Sequence, residues 1–352
     1  MFSARLKRLT PYVPGEQPQD RTYLKLNTNE NPYPPSPQIE SFLRDFNPEK
    51  LRLYPDPQFK RLRDKIAARY GLQREQVFVS NGSDEALSFA FFAFFDSLEG
   101  LLLFPEFTYS FYPVYCDYYG IEYQKVPLKS DFSIDIGGFL ERKSSCGVIF
   151  ANPNAPTGIC VSPDEIRYLM ENYPRDRVVV VDEAYIDFGG TSALGLIEEY
   201  RNLLIIRTFS KSMSLAGLRL GFVMGDKRLI EALFAVKDSF NSYPVNTLSQ
   251  SIGEIAINDE AYFRKTTKEI IAVRDFFSSA LRQLGWHVLP SEANFVFAKK
   301  EGVTGEEIYN RLKQKGILVR YFDVEGINNF VRITIGTKEA MNRLLTEVQE
   351  LF

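Results

Sequence analysis

A run of four valines leads into two acidic residues and a tyrosine in the stretch VVVVDEAY, residues 178–185. Consecutive β-branched residues predict a short strand that is buried on both faces, as in the interior of a parallel sheet. Asp182 stands where this strand should leave the sheet. A buried carboxylate is costly unless a cation meets it, so Asp182 is either a helix cap or a functional group.

Short apolar runs on both sides of this strand predict the rest of a sheet. They occur at residues 77–79, 101–104, 147–151, 203–206 and 220–224, and segments with helical periodicity, such as 59–70, separate them. Short buried strands that alternate with helices are typical of parallel sheets covered on both faces. The predicted fold class is therefore α/β, with a mostly parallel sheet flanked by helices.

The C-terminal part of the sequence has its elements in a different order. One long helix is predicted at residues 255–280, followed by strands at 286–289, 294–298, 317–320 and 331–335 and by helices at 305–314 and 338–351. This order predicts a small α+β domain. Since one core rarely exceeds about 250–300 residues, we divide the 352 residues into an extended arm (1–35), a large domain (36–250) and a small domain (251–352).

Composition argues against several classes of protein. The net charge of −3 and the mixed acids and bases leave no basic stripe for nucleic acid. No run reaches the about 18–20 apolar residues of a membrane span. A single histidine, His287, argues against a histidine-rich zinc site and is expected to be a structural imidazole in a strand. The three cysteines, without CxxC spacing, predict a reducing cytoplasm and no metal site.

A lysine stands among hydroxyl residues in the stretch TFSKSMSLAGLR, residues 208–219. Because this stretch follows a predicted strand, Lys211 is expected at the edge where open α/β sheets bind ligands. A neutral amine in a partly buried, cation-rich site can attack a carbonyl group. The neighbouring side chains suit a phosphate: Thr208, Ser210, Ser212 and Arg219. For this segment alone, a solvated helix start is an equally good interpretation.

Asp182 and Lys211 together favour pyridoxal phosphate (PLP) as a ligand. One helix-plus-strand unit separates the two residues, which places both at the same edge of the sheet. The protonated pyridine nitrogen of PLP is a cation that Asp182 could meet, and this proton makes the ring an electron sink. Tyr185 could reach the phenolic oxygen of the ring.

Two turns are predicted at the same edge. The stretch NGSDE, residues 81–85, lies between a strand and a helix, where a glycine and helix-start N–H groups can bind a phosphate. It contains neither GxGxxG nor GxxxxGK[ST], which argues against a dinucleotide or P-loop site. The stretch NPNAPTG, residues 152–158, is a rigid polar turn after another strand.

These four segments, in this order and spacing, resemble the fold-type I PLP enzymes and most of all the class I and II aminotransferases, across nearly the whole chain. Within that superfamily, LNTNENP (26–32) and LYPDP (53–57) resemble the histidinol-phosphate aminotransferase family. The stretches LTPY (9–12) and GILVR (316–320) agree with this. The resemblance implies that the large domain has the fold-type I architecture, with a sheet of the seven-stranded type, and that this domain binds PLP.

The resemblance also implies roles for individual residues around the cofactor. Lys211 is expected to hold PLP as a Schiff base and to transfer the proton at the substrate carbon. Asp182 is expected to bind the pyridine nitrogen, Tyr185 the ring oxygen, and Tyr109 to stack on the ring. The group around the phosphate is Gly82, Ser83, Asp84, Thr208, Ser210 and Arg219. Tyr54 is expected to reach the phosphate of the neighbouring subunit, which implies a homodimer with shared active sites.

The substrate is expected to contact a further set of residues. Arg332 matches the arginine that binds the anionic group of the substrate, and the residues expected to assist it are Tyr12, Asn29 and Arg320. The sequence departs from the family at Ala155, where an asparagine often bonds the ring oxygen. Asn154 lies one residue away and could replace it only with a shifted backbone, so Tyr185 is expected to carry more of that role.

The activity implied by the resemblance is amino-group transfer between L-histidinol phosphate and 2-oxoglutarate in histidine biosynthesis. Both substrates then use one cationic pocket, and the arginine fork pairs with a phosphate or a carboxylate. An aromatic amino acid aminotransferase and a threonine-phosphate decarboxylase remain alternatives. A PLP-binding protein without activity is disfavoured, because Lys211, Asp182, Tyr185 and Arg219 are all present.

Overall fold

The computed structural model describes residues 1–3, 6–142 and 144–352 of the chain. The strands within these ranges are, in chain order, β1 (Leu24–Lys25), β2 (Val77–Ser80), β3 (Leu101–Pro105), β4 (Tyr123–Val126), β5 (Ser145–Ala151), β6 (Val178–Asp182), β7 (Leu203–Thr208), β8 (Gly221–Gly225), β9 (Trp286–Val288), β10 (Phe295–Lys300), β11 (Ile317–Leu318), β12 (Arg320–Tyr321) and β13 (Val331–Thr334). The α-helices are α1 (Pro37–Asp45), α2 (Lys60–Tyr70), α3 (Gly82–Phe94), α4 (Tyr112–Tyr119), α5 (Ile136–Leu140), α6 (Pro163–Asn172), α7 (Lys227–Phe240), α8 (Thr247–Asn258), α9 (Glu260–Gln283), α10 (Gly305–Gln314) and α11 (Lys338–Leu351).

The large sheet confirms the predicted α/β class. Its seven strands have the order β2-β8-β7-β6-β5-β3-β4 and are parallel except for β8. All five residues of β6 and all six of β7 are buried, because helices cover both faces of the sheet. The sequence did not reveal β4, because its half-buried residues YQKV at the sheet edge contain no apolar run.

The register of the large sheet brings the four motifs to one edge. Ala151 pairs with Asp182, and Asp182 pairs with Ile206. The carboxyl ends of β5, β6 and β7 are therefore level. The carboxyl end of β2 lies at the same edge, because Ser80 and Thr208 both pair with Gly221 of the intervening antiparallel strand β8.

A second sheet lies in the C-terminal part, as predicted from its block order. It is antiparallel, with the order β12-β13-β10-β9. The predicted strand at 317–320 is divided: β11 pairs with β1 of the N-terminal arm, while β12 joins the antiparallel sheet. This pairing attaches the arm to the small sheet, and Arg320 becomes the register partner of Arg332.

The prediction of one long helix at 255–280 is wrong. Helices α8 and α9 meet at Asp259, which has a non-helical backbone (φ −87°, ψ 65°). Its carboxylate accepts the Tyr262 N–H at 3.3 Å and the Ser36 hydroxyl at 2.6 Å. Aspartate favours such caps over helix interiors, because its side chain competes for backbone donors. The buried face of α8 belongs to the core of the large sheet, so we propose Asp259 as the domain junction rather than residue 250.

Three further observations concern the classes of protein and of site that the composition argued against. His287 lies in strand β9, as predicted, and its side chain is on the exposed face of that strand. Within the described ranges, no helix is long and apolar enough to cross a membrane. No group of three or more His, Cys, Asp or Glu residues in those ranges could hold a metal ion.

Candidate active site

A cavity of about 410 Å³ opens at the carboxyl edge of the large sheet. Residues of the large sheet, the small sheet and the N-terminal arm all line it. It brings together most of the residues predicted from the sequence: Tyr12, Ser83, Asp84, Tyr109, Asp182, Tyr185, Thr208, Ser210, Lys211, Arg219, Arg320 and Arg332. Five residues that were expected at the site from the sequence do not line the cavity: Asn29, Tyr54, Gly82, Asn154 and Ser212.

Lys211 is held in the loop that follows β7. The Nζ atom donates to the Thr28 carbonyl oxygen at 3.3 Å and lies 5.6 Å from the centre of the Tyr185 ring. The Asn31 amide donates to the carbonyl oxygens of Lys211 and Ser212, at 3.0 and 3.2 Å. No carboxylate of the described residues forms an ion pair with this amine, so it is available to a ligand in the cavity.

Asp182 is buried at the end of β6 and lacks a cationic partner among the described residues. Burial raises its pKa to about 7, although hydrogen bonds from the Tyr112 hydroxyl and the Ala184 N–H oppose the shift. These donors lie 3.2 Å from Oδ2 and 3.2 Å from Oδ1. A carboxylate in such surroundings favours a ligand that brings a positive charge or a proton.

Tyr112 is a site residue that sequence reasoning missed. Its side chain is fully buried, and its ring meets that of Tyr109 edge to face at 5.6 Å. Burial and the neighbouring Asp182 raise the pKa of the Tyr112 phenol well above its usual value, so it remains a hydrogen-bond donor. Tyr112 lies three residues after Tyr109, at the start of α4, but the surrounding aromatic segment gave no local sign of which ring meets Asp182.

An anion site lies between the start of α3 and the loop after β7. Arg219 has a left-handed backbone (φ 53°) and directs Nη1 to Ser210 Oγ at 3.4 Å. Gly82 packs against this guanidinium, since a Cβ atom there would lie 2.7 Å from Nη2 of Arg219. The start of α3 adds backbone N–H groups that suit a phosphate. Thr208 Oγ1 supports this loop by accepting the Ser210 N–H at 3.1 Å.

Asp84 and Ser212 do not offer their side chains to an anion. The Asp84 carboxylate pairs with Arg219 at 3.0 Å and accepts the Tyr109 hydroxyl at 2.9 Å. Because a carboxylate repels a phosphate, only the backbone of Asp84 suits the predicted role. The expectation for Ser212 is wrong: its hydroxyl is buried away from the cavity and donates to Asp187 at 2.6 Å.

Two arginines face the opposite end of the cavity. The Arg332 guanidinium lies 5.3 Å from the Phe295 ring centre and 5.6 Å from that of Phe322. Its buried Nε has no hydrogen-bond partner among the described residues. Arg320 donates to the Val13 carbonyl oxygen at 3.0 Å. Burial, together with the charge of Arg320, lowers the pKa of Arg332, but arginine stays protonated in proteins. No described carboxylate forms an ion pair with either arginine, so this end is suited to an anionic ligand.

Asn29 has a different position from the one predicted. It is buried, with a left-handed backbone (φ 56°). Its Nδ2 donates to the Tyr185 hydroxyl at 3.0 Å, and its Oδ1 accepts the Thr334 hydroxyl at 3.0 Å. Both side-chain atoms therefore have partners in the protein, and the Asn29 amide orients the Tyr185 hydroxyl. The predicted contact of Asn29 with substrate stays a prediction.

Asn154 and Tyr54 also lie outside the cavity. The buried Asn154 side chain accepts from Thr108 at 2.9 Å and donates to the Phe107 carbonyl oxygen at 2.8 Å, so it holds the turn. Tyr54 is 83% exposed and stacks on Tyr243, with ring centres 4.6 Å apart.

Comparison with known proteins shows the family to which the chain belongs. The sequence matches the family of class I and II aminotransferases over residues 21–348, and the chain belongs to that family. It is 62% identical to the histidinol-phosphate aminotransferase of Syntrophus aciditrophicus, an alignment that covers 100% of this chain and 98% of the relative. It is 48% identical to the enzyme of the same name from Chromohalobacter salexigens, over 99% of this chain and 98% of the relative.

A solved structure confirms the fold. The histidinol-phosphate aminotransferase of Sinorhizobium meliloti, in complex with pyridoxal-5'-phosphate, matches with a TM-score of 0.89. The match covers 99% of this chain and 97% of that chain. At 24% sequence identity, this similarity establishes the fold-type I architecture alone.

Proposed function

We propose that the chain is a PLP-dependent aminotransferase that moves the amino group of L-histidinol phosphate to 2-oxoglutarate, in histidine biosynthesis. The observation that carries this proposal is the arrangement of one cavity, which Lys211 and Asp182 line together with Arg320 and Arg332. Neither arginine forms an ion pair with a carboxylate of the described residues. The names of the relatives with 62% and 48% identity support the same substrate.

The residues of the cavity fit PLP. Asp182 is a buried carboxylate without a cation among the described residues, and Lys211 is an amine without a carboxylate. The residues that would hold the phosphate through side-chain or backbone donors are Ser83, Asp84, Ser210 and Arg219. When bound, PLP supplies an electron sink for the bonds of the substrate carbon.

The chain's own residues supply protons at defined atoms. With a pKa of about 7, Asp182 can carry a proton at neutral pH and present it to a ring nitrogen. The Tyr185 oxygen accepts from Asn29, which leaves its own O–H free to donate to the ring oxygen. The Lys211 amine is placed to accept a proton from the substrate carbon and to return it.

The arginine end of the cavity suits both substrates. Histidinol phosphate ends in a phosphate, and 2-oxoglutarate ends in a carboxylate; an arginine fork pairs bidentately with either. Phe295 and Phe322 cover the Arg332 guanidinium and reduce its contact with water. An anion there interacts with two positive charges in a partly apolar setting, where electrostatic attraction is stronger than in water.

We also propose that two copies form a dimer. Large apolar side chains are exposed around the Tyr54–Tyr243 stack: Leu51 (56%), Leu53 (57%), Tyr54 (83%), Phe240 (74%) and Tyr243 (42%). An exposed apolar group of this kind favours a protein interface. Sedimentation equilibrium of the purified chain should give twice the mass of 40.4 kDa, whereas a monomer at micromolar concentration would contradict the shared site.

The cytoplasmic location stays a proposal. Its support is the cysteine chemistry: Cys116 and Cys146 are buried free thiols, and Cys160 is a half-buried free thiol. Free thiols without a partner are typical of proteins that remain in a reducing compartment.

A single-turnover absorbance experiment tests the activity. PLP-loaded protein is mixed with L-histidinol phosphate and no keto acid, with phenylalanine and O-phosphothreonine in parallel. We expect the cofactor absorbance to change at least about 10-fold faster with histidinol phosphate than with phenylalanine. The phosphate offers the two arginines more charge and one more acceptor oxygen than the carboxylate of phenylalanine, and a hydrogen bond to a charged group contributes about 1.5–3 kcal/mol.

The other outcomes of this experiment separate the alternatives. A preference for phenylalanine would indicate an aromatic amino acid aminotransferase. Release of carbon dioxide from O-phosphothreonine would indicate a decarboxylase. If PLP stays bound and no donor changes its absorbance, the transaminase proposal fails.

A further inference from the structure

A buried group of charges lies behind the active site. In extended chain, consecutive side chains point to opposite faces, so Glu183 and Arg207 point away from the cavity lined by Asp182 and Thr208. Arg207 contacts Glu183 Oε2 through Nε at 3.0 Å and through Nη2 at 2.9 Å. Its Nη1 contacts Asp187 Oδ1 at 3.0 Å. The side chains of Glu183 and Arg207 are 0% and 7% exposed, and that of Asp187, at the margin of the group, is 19% exposed.

The charges of this group are internally satisfied. Burial lowers the pKa of Arg207, but the carboxylates of Glu183 and Asp187 raise it above its usual value. Glu183 also accepts the Ser192 hydroxyl at 2.7 Å and the Ala193 N–H at 2.8 Å. A buried ion pair with these additional bonds fixes geometry strongly, because any displacement leaves a buried charge without a partner.

Ser212 connects this group to Lys211. Its hydroxyl donates to Asp187 Oδ2 at 2.6 Å, and its side chain is buried. Ser212 directly follows Lys211, and the Lys211 carbonyl oxygen accepts a hydrogen bond from the Asn31 amide of the N-terminal arm. The main chain that carries the reactive amine is thus fixed both by the N-terminal arm and by the buried charges.

We propose that Asp187, held in place by Arg207, is a positioning residue that fixes the Lys211 main chain through Ser212. This inference rests on the proposed role of Lys211 in binding PLP. A reactive group must lie within a fraction of an ångström of its productive position, and a displacement of 1 Å can cost about 100-fold in rate. The bond from Ser212 to Asp187 is charge-assisted and therefore among the stronger hydrogen bonds of the loop.

The chain offers a matched pair of variants to test this role. Ser212→Ala and Ser192→Ala each remove one hydroxyl that donates to a carboxylate of the same buried group, at 2.6 and 2.7 Å. Only Ser212 adjoins Lys211. Ser192 Oγ also accepts the Leu194 N–H at 3.0 Å, so the unfolding midpoint of Ser192→Ala should fall at least as far as that of Ser212→Ala. A slower reaction at Lys211 in Ser212→Ala alone therefore cannot be attributed to lower stability.

The readout is the covalent attachment of added PLP to Lys211 in the cofactor-free protein, followed by absorbance and by borohydride trapping. We expect attachment to be about 10-fold slower in Ser212→Ala and unchanged in Ser192→Ala, with the same ranking for single turnover. Ser212→Cys, whose thiol is only a weak donor, should behave like Ser212→Ala and serves if that variant does not fold.

Equal attachment rates in Ser212→Ala and Ser192→Ala would overturn the proposal and leave the buried charges with a role in stability alone. This failure is distinguishable from failure of the proposed function. If the wild-type chain does not attach PLP at Lys211, the proposed function fails. If it attaches PLP but prefers another donor, the positioning test is still valid, because attachment needs no substrate.

Discussion

Replacement of Lys211 by alanine should abolish covalent attachment of PLP and lower kcat by at least about 10²–10⁴-fold, the usual contribution of a positioned general acid or base. Lys211 is the one lysine among the described residues that line the cavity. Its amine donates to the Thr28 carbonyl oxygen and forms no ion pair with a carboxylate of the described residues. Borohydride treatment followed by peptide mass analysis should locate the cofactor on Lys211 in the wild type and find no labelled peptide in the variant.

Two further variants make this result specific. Lys211→Arg retains the positive charge but cannot supply a neutral amine, so we expect it to be as inactive as the alanine variant. Lys227→Ala removes an exposed lysine at the start of α7 and should leave attachment and turnover unchanged. A Lys211→Ala protein that still carries trapped PLP and turns over at the wild-type rate would contradict the assigned role.

The placement of Asp182 and Lys211 at one edge of the sheet could be predicted because it depends on local signals. A run such as the four valines of β6 favours a buried strand because all four residues are β-branched, and parallel neighbours bring their carboxyl ends to one edge. Asp182 and Lys211 follow from this edge without any knowledge of tertiary contacts. The level register of Ala151, Asp182 and Ile206 is the physical reason that this inference was correct.

The remaining features depend on partners that are distant in sequence. Asn29 bonds to Thr334, and the break at Asp259 involves Ser36, so neither position could be interpreted from its neighbours. Ser212 carries the same hydroxyl as Ser210, yet Asp187 draws it away from the cavity. Which of several tyrosines meets Asp182 is likewise a property of packing between α4 and the sheet, and for this reason Tyr112 was missed.

Replacement of Asp182 by asparagine should raise the stability of the cofactor-free protein and lower its affinity for PLP. In the cofactor-free protein, burial raises the pKa of Asp182 from 3.8 to about 7. Asparagine has nearly the same shape, cannot ionise, and can still accept the Ala184 N–H while its amide group donates to the Tyr112 oxygen. We therefore expect the cofactor-free variant to be more stable than the wild type at pH 8 and to bind PLP more weakly.

The pH dependence follows from the direction of the pKa shift. Below pH 4 the carboxyl is protonated in both the folded and the unfolded wild type. The free energies of unfolding of the wild type and the variant should therefore differ little there. Between pH 4 and 7 the unfolded chain ionises while the folded chain keeps its proton, so the wild-type fold loses stability relative to the variant. Above pH 7 the difference in the free energy of unfolding should reach about 4 kcal/mol, measured by denaturant titration of the cofactor-free proteins.

Binding of PLP should favour the wild type over the variant, because PLP brings the cation that Asp182 lacks among the described residues. Loss of one partner of a buried charge pair costs about 2–5 kcal/mol, so the Kd for PLP should rise about 30- to 5,000-fold in Asp182→Asn. Equilibrium dialysis of the two proteins at pH 8 measures this change. A variant that binds PLP as tightly as the wild type would contradict the assignment of Asp182 to the ring nitrogen.

Glu183 is the matched control for this prediction, since it is the next residue and its carboxylate is also buried. Unlike Asp182, it has a cation, Arg207, at 2.9 Å. Glu183→Gln should therefore destabilise the cofactor-free protein by about 3 kcal/mol or more at pH 8, whereas Asp182→Asn stabilises it. If both substitutions destabilise the fold equally, the Asp182 carboxylate is satisfied by the protein itself, and its need for a cationic ligand is refuted.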